Sequence, residues 1–191
     1  MAFWSDPTNF DPKRKYNWIL ILNTVPTWII KKVTKPGFAT TEAVHRFLNY
    51  SFYYPGKIEW DEIEMTLVDP VVPDAAKSLM DHLRDTGYNV PGSPKDLSTI
   101  SKKNATNVLG QVSIQQLGHG PVTAGAATPA QKVIEEWHLK NAWIKNVKFG
   151  DLDYEADDLN EITVTLRYDW AELNKSGTAH PRGTKKQVRT V

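Results

Sequence analysis

The clearest hydrophobic pattern in the chain is a strict alternation of apolar and polar residues from Glu161 to Trp170. An alternation with a period of two places every second side chain on one face, so this segment is predicted to be a half-buried β-strand. A second alternating segment, Lys57 to Pro70, changes phase at Asp61-Glu62, which predicts a β-bulge there. The apolar positions of the first segment are Ile162, Val164, Leu166, Tyr168 and Trp170.

The segment from Phe47 to Tyr54 is rich in aromatic residues and leads into Tyr54-Pro55-Gly56-Lys57. Proline presets φ for the first central position of a turn, and glycine supplies the positive φ of the second. This predicts a type II turn at Pro55-Gly56 that joins two strands into a long hairpin. By alternation, Phe47 and Tyr53 share one strand face, while Tyr50, Phe52 and Tyr54 share the other.

The remaining pattern predicts a mainly β fold with one clear helix. The helix is expected from Asp74 to Thr86, because Asp74 can cap it, an apolar stripe follows and Gly87 can end it. Residues 89–107 and 118–129 are polar and predicted to be loops. Further strands are predicted at Tyr16–Asn23, Thr27–Val33, Leu109–Leu117, Val133–Leu139 and Trp143–Phe149.

Charge is balanced overall but uneven along the chain. The 191 residues carry 23 basic and 22 acidic side chains, with a formal net charge of +1. Six acids and no base lie between Asp151 and Glu161, which predicts a solvated turn rather than a calcium loop because the EF-hand glycine and terminal glutamate are missing. The segment after Glu172 is basic and has almost no apolar residues. We therefore expect a folded domain over residues 1–172 and a mobile basic extension over 173–191.

Composition and motifs exclude several classes of function. No cysteine is present, so thiolate metal sites, disulfides and cysteine nucleophiles are excluded. No phosphate loop, GxGxxG, HExxH or GxSxG motif occurs, and the five histidines have no metal-pair spacing. No apolar run approaches the roughly 18 residues of a membrane span, and the start lacks a signal-peptide pattern. The sequence thus predicts that the protein is not an enzyme and has no cofactor or metal site. It also predicts synthesis in a cytosol.

The order of these elements resembles the tail tube proteins of contractile-tailed bacteriophages, which are related in fold to tube proteins of type VI secretion and other contractile injection systems. The resemblance covers roughly Tyr16 to Trp170 and is one of pattern and characteristic phrases. The matching segments are YNWILIL (16–22), WIIKKVTKPGF (28–38), the aromatic hairpin, KIEWDEIEMTLVDP (57–70) with its helix, WHLKNAWIKNVKFGDLDY (137–154) and NEITVTLRYDW (160–170).

This resemblance implies a small β-barrel or sandwich with one packed helix and a long protruding hairpin. It also implies a structural protein of the virion: a homo-hexameric ring, stacked into a tube, assembled in the bacterial host cytoplasm. Its partners would be the tail sheath, baseplate and tail terminator proteins, and its bore would conduct double-stranded DNA during genome ejection. The basic extension after Trp170 departs from the family pattern, which leaves a specialised baseplate or neck ring, or a non-phage injection tube, as alternatives.

Two sets of residues are candidates for the contacts of such a tube. Exposed aromatic rings on a strand usually mark a protein contact, whereas a strand buried on both faces would use them in the core. A bore that passes DNA should be lined by acidic or neutral polar side chains, because Lys and Arg bind phosphate. The subunit-interface candidates are Phe47, Tyr50, Phe52, Tyr54, Pro55 and Gly56, and the lumen-facing candidates are either Glu59, Glu62, Glu64 and Thr66 or Thr163 and Thr165.

Two other classes of function remain open from the residues alone. A nucleic-acid-binding module could use Lys13-Arg14-Lys15 and the basic extension. A glycan-acting enzyme could use a carboxylate pair among Glu59, Asp61, Glu62 and Glu64, although a charged outer strand face is the commoner use of such a cluster.

Overall fold

The computed structural model describes residues 13–92, 97–118, 132–155 and 157–174. It contains ten strands and two helices over these ranges. The strands are β1 (Trp18–Ile21), β2 (Ile30–Val33), β3 (Phe38–Phe47), β4 (Tyr50–Trp60), β5 (Ile63–Val68), β6 (Val112–Gly118), β7 (Lys132–Lys140), β8 (Trp143–Lys148), β9 (Glu161–Arg167) and β10 (Trp170–Asn174). The helices are α1 (Ala75–Asp85) and α2 (Lys102–Leu109).

Eight of the strands form two four-stranded sheets, and the other two form a separate hairpin. The β1 sheet has the order β1-β6-β7-β10, and the β2 sheet has the order β2-β5-β9-β8. Every neighbouring pair is antiparallel. Among the described residues, strands β3 and β4 pair only with each other, and we call this hairpin the arm. The fold is therefore mainly β, as predicted, with two open sheets rather than a closed barrel.

The core lies between the two sheets and confirms the predicted alternation. Ile162, Val164 and Leu166 of β9 are completely buried, as are Ile63 and Leu67 of β5. Burying one such side chain stabilises the fold by about 1.5–3 kcal/mol. The β1 sheet contributes Leu20, Val112, Ile114 and Leu139 to the same cluster.

Helix α1 forms where the sequence predicts it. The Asp74 side chain accepts a hydrogen bond of 2.8 Å from the Lys77 backbone N–H, which satisfies one of the free donors of the first turn. Gly87 adopts a φ of 110° just after the helix, a conformation that residues with a Cβ rarely take. Leu79 and His82 point into the protein, and the His82 ring Nδ1 lies 3.2 Å from the Thr24 hydroxyl.

Helix α2 lies where the sequence predicted a loop, so that prediction was wrong. Ser101 caps it by accepting a hydrogen bond from the Asn104 backbone N–H at 3.2 Å. Only Ala105 and Leu109 are buried, a stripe too short to show helical periodicity. Because Leu109 ends this helix, the following strand begins at Val112 rather than at Leu109.

Three predicted strand features also need correction. The alternation from Glu161 to Trp170 spans two strands in different sheets, and Trp170 is 46% exposed after the corner at Tyr168-Asp169. The residues Thr27–Ile29 form a 3₁₀ turn before β2. The phase change at Asp61-Glu62 is not a bulge, because these residues connect the arm to the β2 sheet.

The arm turns at Leu48-Asn49, not at Pro55-Gly56. Phe47 and Tyr50 are directly opposite each other, so the two-residue connection closes the hairpin. Leu48 adopts a φ of 51° and is 87% exposed. The stronger sequence signal, Pro55-Gly56, lies in the middle of β4.

Candidate assembly surfaces

The arm presents a face of exposed aromatic rings. In the observed register Phe47 lies opposite Tyr50, and Phe52 and Tyr54 follow on the same side of β4. The predicted assignment of Phe47 to the face of Tyr53 was therefore wrong, because the turn falls between Phe47 and Tyr50. All four rings on this face are between 48% and 68% exposed, so none is used in the core of the subunit.

Gly56 and Pro55 have a different role from the one predicted. The register of the arm shifts between Thr40 and Glu42, where the single residue Thr41 of β3 faces two residues of β4, Gly56 and Lys57. The Thr41 hydroxyl accepts a hydrogen bond of 2.8 Å from the Lys57 backbone N–H. A Cβ at Gly56 would lie 2.9 Å from the Thr41 carbonyl oxygen, so glycine makes room for this bulge.

The base of the arm is held closed by contacts between its two strands and joined to the β2 sheet by Arg167 of β9. The ring of Trp60 lies 5.5 Å from that of Phe38, measured between centroids. Arg167 donates a hydrogen bond of 3.0 Å to the Trp60 carbonyl, and the Asp61 N–H donates one of 2.9 Å to Gly37. The arm therefore projects from an anchored base while its aromatic face stays exposed.

Each sheet has two open edges in the part of the chain that the structure describes. Strands β1 and β10 each pair on one side only, and the same holds for β2 and β8. An open edge carries unpaired backbone N–H and C=O groups that can pair with another chain. Apolar side chains lie near both edges of the β1 sheet, since Ile19, Ile21, Trp170 and Leu173 are each at least 36% exposed.

The two alternative sets of lumen-facing candidates largely share one surface. Glu64 lies directly opposite Thr165, and Thr66 lies opposite Thr163, on the outer face of the β2 sheet. Lys32 and Lys148 end the row that contains Thr66 and Thr163. Glu62 instead lies in the connection between β4 and β5, where it forms ion pairs with Lys145 and Arg167.

Glu59 is separate from this surface, because it lies on the arm opposite Ala39. The predicted carboxylate cluster is thus divided between the arm, the connection after it and the β2 sheet. Among the described residues no group of three or more His, Asp or Glu side chains is close enough to hold a metal ion. None of the helices in those residues is long and apolar enough to cross a membrane.

A basic cleft between the open edges of β1 and β2 was not predicted. Its volume is about 570 Å³, and Trp18, Val33 and Ile114 contribute its apolar lining. The basic residues within 13–15 and 31–35 could have indicated it, but only the fold brings these two segments together. Six bases line it: Lys13, Arg14, Lys15, Lys31, Lys32 and Lys35.

A buried carboxylate organises one end of this basic cleft. Glu135 is 6% exposed and accepts hydrogen bonds from the Lys35 ammonium at 2.9 Å and from the Trp137 ring N–H at 2.6 Å. Lys13 forms a further ion pair with the same carboxylate. Burial lowers the pKa of Lys35, and the positive charge of Lys13 lowers it further. At the other end, Lys31 pairs with Glu161, whose carboxylate raises the lysine pKa.

Solved structures with the same fold come from contractile injection systems. One is a chain in the cryo-EM structure of the anti-feeding prophage (AFP) baseplate, with 12% identity, a TM-score of 0.58 and coverage of 88% of this chain and 99% of that chain. Another, from the PVC sheath/tube terminator of an extracellular contractile injection system in the extended state, has 15% identity, a TM-score of 0.59 and coverage of 87% and 99%.

A chain of the PVC sheath-tube complex in the extended state gives 14% identity, a TM-score of 0.55 and coverage of 86% of this chain and 92% of that chain. No protein-family model matches the sequence, and no curated protein matches it either. The fold is therefore related to that of contractile injection system tube proteins. This confirms the resemblance found in the sequence at the level of the fold.

Proposed function

We propose that this protein is the structural subunit of a contractile bacteriophage tail tube. Six copies form a ring, the rings stack into a tube, and the bore conducts the double-stranded DNA genome into the host. The subunits assemble in the host cytoplasm and remain in the virion with sheath, baseplate and tail terminator proteins. The observation that carries the proposal is the similarity of fold to chains of tube-containing assemblies over nearly nine tenths of this chain.

The strand order supports head-to-tail rings. Each sheet has four strands and only antiparallel pairs, so its two edge strands run in opposite directions. Placing β10 of one copy beside β1 of the next therefore continues the antiparallel pattern, as does placing β8 beside β2. This arrangement pairs open edges without reversing any subunit, which a closed ring requires.

The aromatic face of the arm supports a contact beyond the subunit. Four large rings on one face of a two-stranded hairpin expose much more apolar area than a solvated hairpin needs. Aromatic residues are enriched at the buried centres of protein interfaces. We therefore assign the arm to contacts with a neighbouring subunit or ring through Phe47, Tyr50, Phe52 and Tyr54.

The outer face of the β2 sheet is the better candidate for the bore. It carries the polar residues Glu64, Thr163 and Thr165, with Thr66 between them only 9% exposed, whereas the outer face of the β1 sheet includes Ile19 and Ile21 near one edge. Neutral polar and acidic side chains neutralise no phosphate charge, so the centre of this face would let DNA pass without strong adhesion. The bases Lys32 and Lys148 lie at its two edges, where neighbouring copies would meet. This assignment combines the two alternative sets of sequence candidates into one surface, without Glu59 and Glu62.

A specialised ring or a non-phage injection tube is the second candidate function. The similar chains come from structures of an AFP baseplate and of the PVC sheath/tube terminator as well as from a sheath-tube complex. A baseplate or neck ring would form a single ring or a short stack, and an extracellular injection tube would not need to pass DNA. The length of the assembled stacks separates a specialised ring from a bulk tube.

The experiment is negative-stain microscopy of the purified protein over a range of concentrations, with size-exclusion chromatography and light scattering. We expect rings of six copies, and stacks of rings when the protein is concentrated. A protein that stays monomeric at high concentration and shows no rings would contradict the proposal. Binding to DNA that weakens steeply with salt, without rings, would instead favour a nucleic-acid-binding module that uses the basic cleft.

A further inference from the structure

The basic cleft carries more positive charge than its carboxylates match. Among the six bases that line it, Lys13 and Lys35 pair with Glu135, and Lys31 pairs with Glu161. Neither the Lys15 side chain nor the Lys32 side chain has a hydrogen bond or an ion pair with any of the described residues. The cleft therefore already binds the carboxylates of Glu135 and Glu161, and the side chains of Lys15 and Lys32 remain to bind further carboxylates.

The connection between β8 and β9 has the complementary chemistry. We call its described residues 151–155 and 157–160 the acidic segment. Three apolar side chains in it project into solvent, with Leu152 89% exposed and Tyr154 and Leu159 also exposed. The apolar lining of the cleft, which includes Trp18 and Val33, could cover such side chains. The acids of the segment are Asp151, Asp153, Glu155, Asp157 and Asp158.

The register of the β2 sheet places these two surfaces side by side in neighbouring copies. Lys148, at the end of β8, lies in the same row as Lys32, at the opposite edge of the sheet. If β8 of one copy lies beside β2 of the next with this row continued across the junction, the chain after Lys148 emerges next to Lys32 of that next copy. The acidic segment then begins three residues later, at the mouth of the neighbouring cleft.

We propose that the acidic segment of one copy docks into the basic cleft of the next copy in the ring. The proposal rests on the head-to-tail arrangement proposed above. Lysines on an edge strand also discourage indiscriminate sheet pairing. Such lysines repel the lysines of another edge. The acidic segment of a second copy removes this repulsion only when the two edges meet in the correct order, so the contact selects head-to-tail pairing over other edge contacts.

Charge reversal on each side of this contact provides the test. The first variant is Asp151→Lys with Glu155→Lys, and the second is Lys15→Glu with Lys32→Glu. These positions leave the Glu135 and Glu161 ion pairs intact, so each variant can fold, which denaturant unfolding verifies. Lys77→Glu with Lys103→Glu, on exposed faces of the two helices, is the matched control for reversing two lysines.

Ring formation is measured by sedimentation and negative-stain microscopy at about 0.1 M salt, where surface charges act over roughly 10 Å. Each variant alone should need about tenfold more protein than the wild type to form rings, because like charges then meet at every contact. An equal mixture of the two should recover wild-type assembly, since copies that alternate around a ring pair opposite charges at each contact. The control should assemble like the wild type.

The other outcomes overturn the inference in distinguishable ways. Variants that assemble as well as the wild type would show that the contact does not form, while the ring itself stands. Recovery in a chain that carries all four substitutions, but not in the mixture, would show that the acidic segment docks within its own subunit. Failure of the wild type to form rings would instead remove the proposed function on which the contact rests.

Discussion

The indole ring of Trp60 packs against the phenol ring of Tyr168, with centroids 6.0 Å apart and planes inclined by 57°. Trp60 is the last residue of the arm, and Tyr168 is the buried corner residue between β9 and β10. The contact therefore ties the arm to the point where the chain crosses from one sheet to the other. The hydroxyl group of Tyr168 offers a first test of this packing.

We predict that Tyr168→Phe does not destabilise the subunit at neutral pH. The Tyr168 hydroxyl is buried and has no hydrogen-bond partner among the described residues, so its removal takes away an uncompensated polar group. Burial and the charge of Asp61 together raise the pKa of Tyr168 to about 12, against an opposing effect of Arg167. The neutral phenol is therefore favoured in the folded state.

The pH dependence of this site follows from the sign of that shift. The unfolded chain loses the phenol proton near pH 10, before the folded chain does. The contribution of Tyr168 is thus fully present below about pH 10 and is lost as the pH rises towards 12. Denaturant unfolding across this range should show a smaller decline for Tyr168→Phe than for the wild type. The assignment would be contradicted if Tyr168→Phe and the wild type declined equally. It would also be contradicted if Tyr16→Phe, at an exposed site, reduced the decline as much as Tyr168→Phe.

We predict that Phe52→Ser with Tyr54→Ser prevents assembly and leaves the subunit folded. Both rings are exposed on the aromatic face, so their removal should cost the monomer little. If each anchors a contact, its loss weakens that contact by on the order of 2 kcal/mol. Denaturant unfolding and ring formation are measured on the same samples. Tyr53→Ser, on the opposite face of the arm, is the control, and cooperative destabilisation of the monomer by the double change would refute the assignment.

We predict opposite effects for two substitutions in the arm. Gly56→Ala should open the arm locally, because its Cβ would meet the Thr41 backbone. Leu48→Gly should leave the stability of the arm unchanged or raise it by up to about 1 kcal/mol. Leu48 has a positive φ, which is a conformation of higher free energy for a residue with a Cβ than for glycine. Hydrogen exchange of arm amides measures both. A hairpin that turned at Pro55-Gly56 would place Leu48 within a strand, and Leu48→Gly would then speed exchange.

We predict that the chain can end after Asn174 with little change in melting temperature. All of β10 is retained, including the pairing of Asn174 with Glu136 on β7. Ending the chain after Asp169 removes β10 and uncovers Ala171's packing site on the core. A loss of about 2 kcal/mol there lowers the melting temperature by roughly 4–8 °C. A comparable fall in melting temperature for the chain that ends after Asn174 would show that residues 175–191, which lie outside the described residues, belong to the folded domain.

The sequence predicted those features that depend on near neighbours. The alternation around Val164 and the cap at Asp74 are local patterns, and both are found as predicted. The alternation in the sequence cannot show that the chain changes sheets after Tyr168, because its apolar pattern runs on to Trp170. In the structure Trp170 is exposed and Ala171 packs on the core instead. The partner strand of each segment is set by long-range pairing, which no single segment reveals.

The turn of the arm was predicted at the wrong position for the same reason, because it depends on long-range pairing. Pro55-Gly56 has the composition of a turn, but Gly56 is needed there because Thr41 lies across the arm. The two sets of lumen candidates likewise became one surface only when Glu64 paired with Thr165 and Thr66 with Thr163. The basic cleft was missed for this reason too, since Lys15 and Lys32 approach each other only through the two sheets.

In the proposed ring, the even number of strands in each sheet leaves the number of copies open. Four is even, so the direction of the strands alternates without interruption across every junction, whatever the number of subunits. With three or five strands per sheet, the same head-to-tail step would bring parallel edges together at each junction. In the proposed ring, hydrogen bonding at the junctions would therefore impose no particular copy number. The curvature set by side chains such as those of the acidic segment and the basic cleft would instead determine where that ring closes.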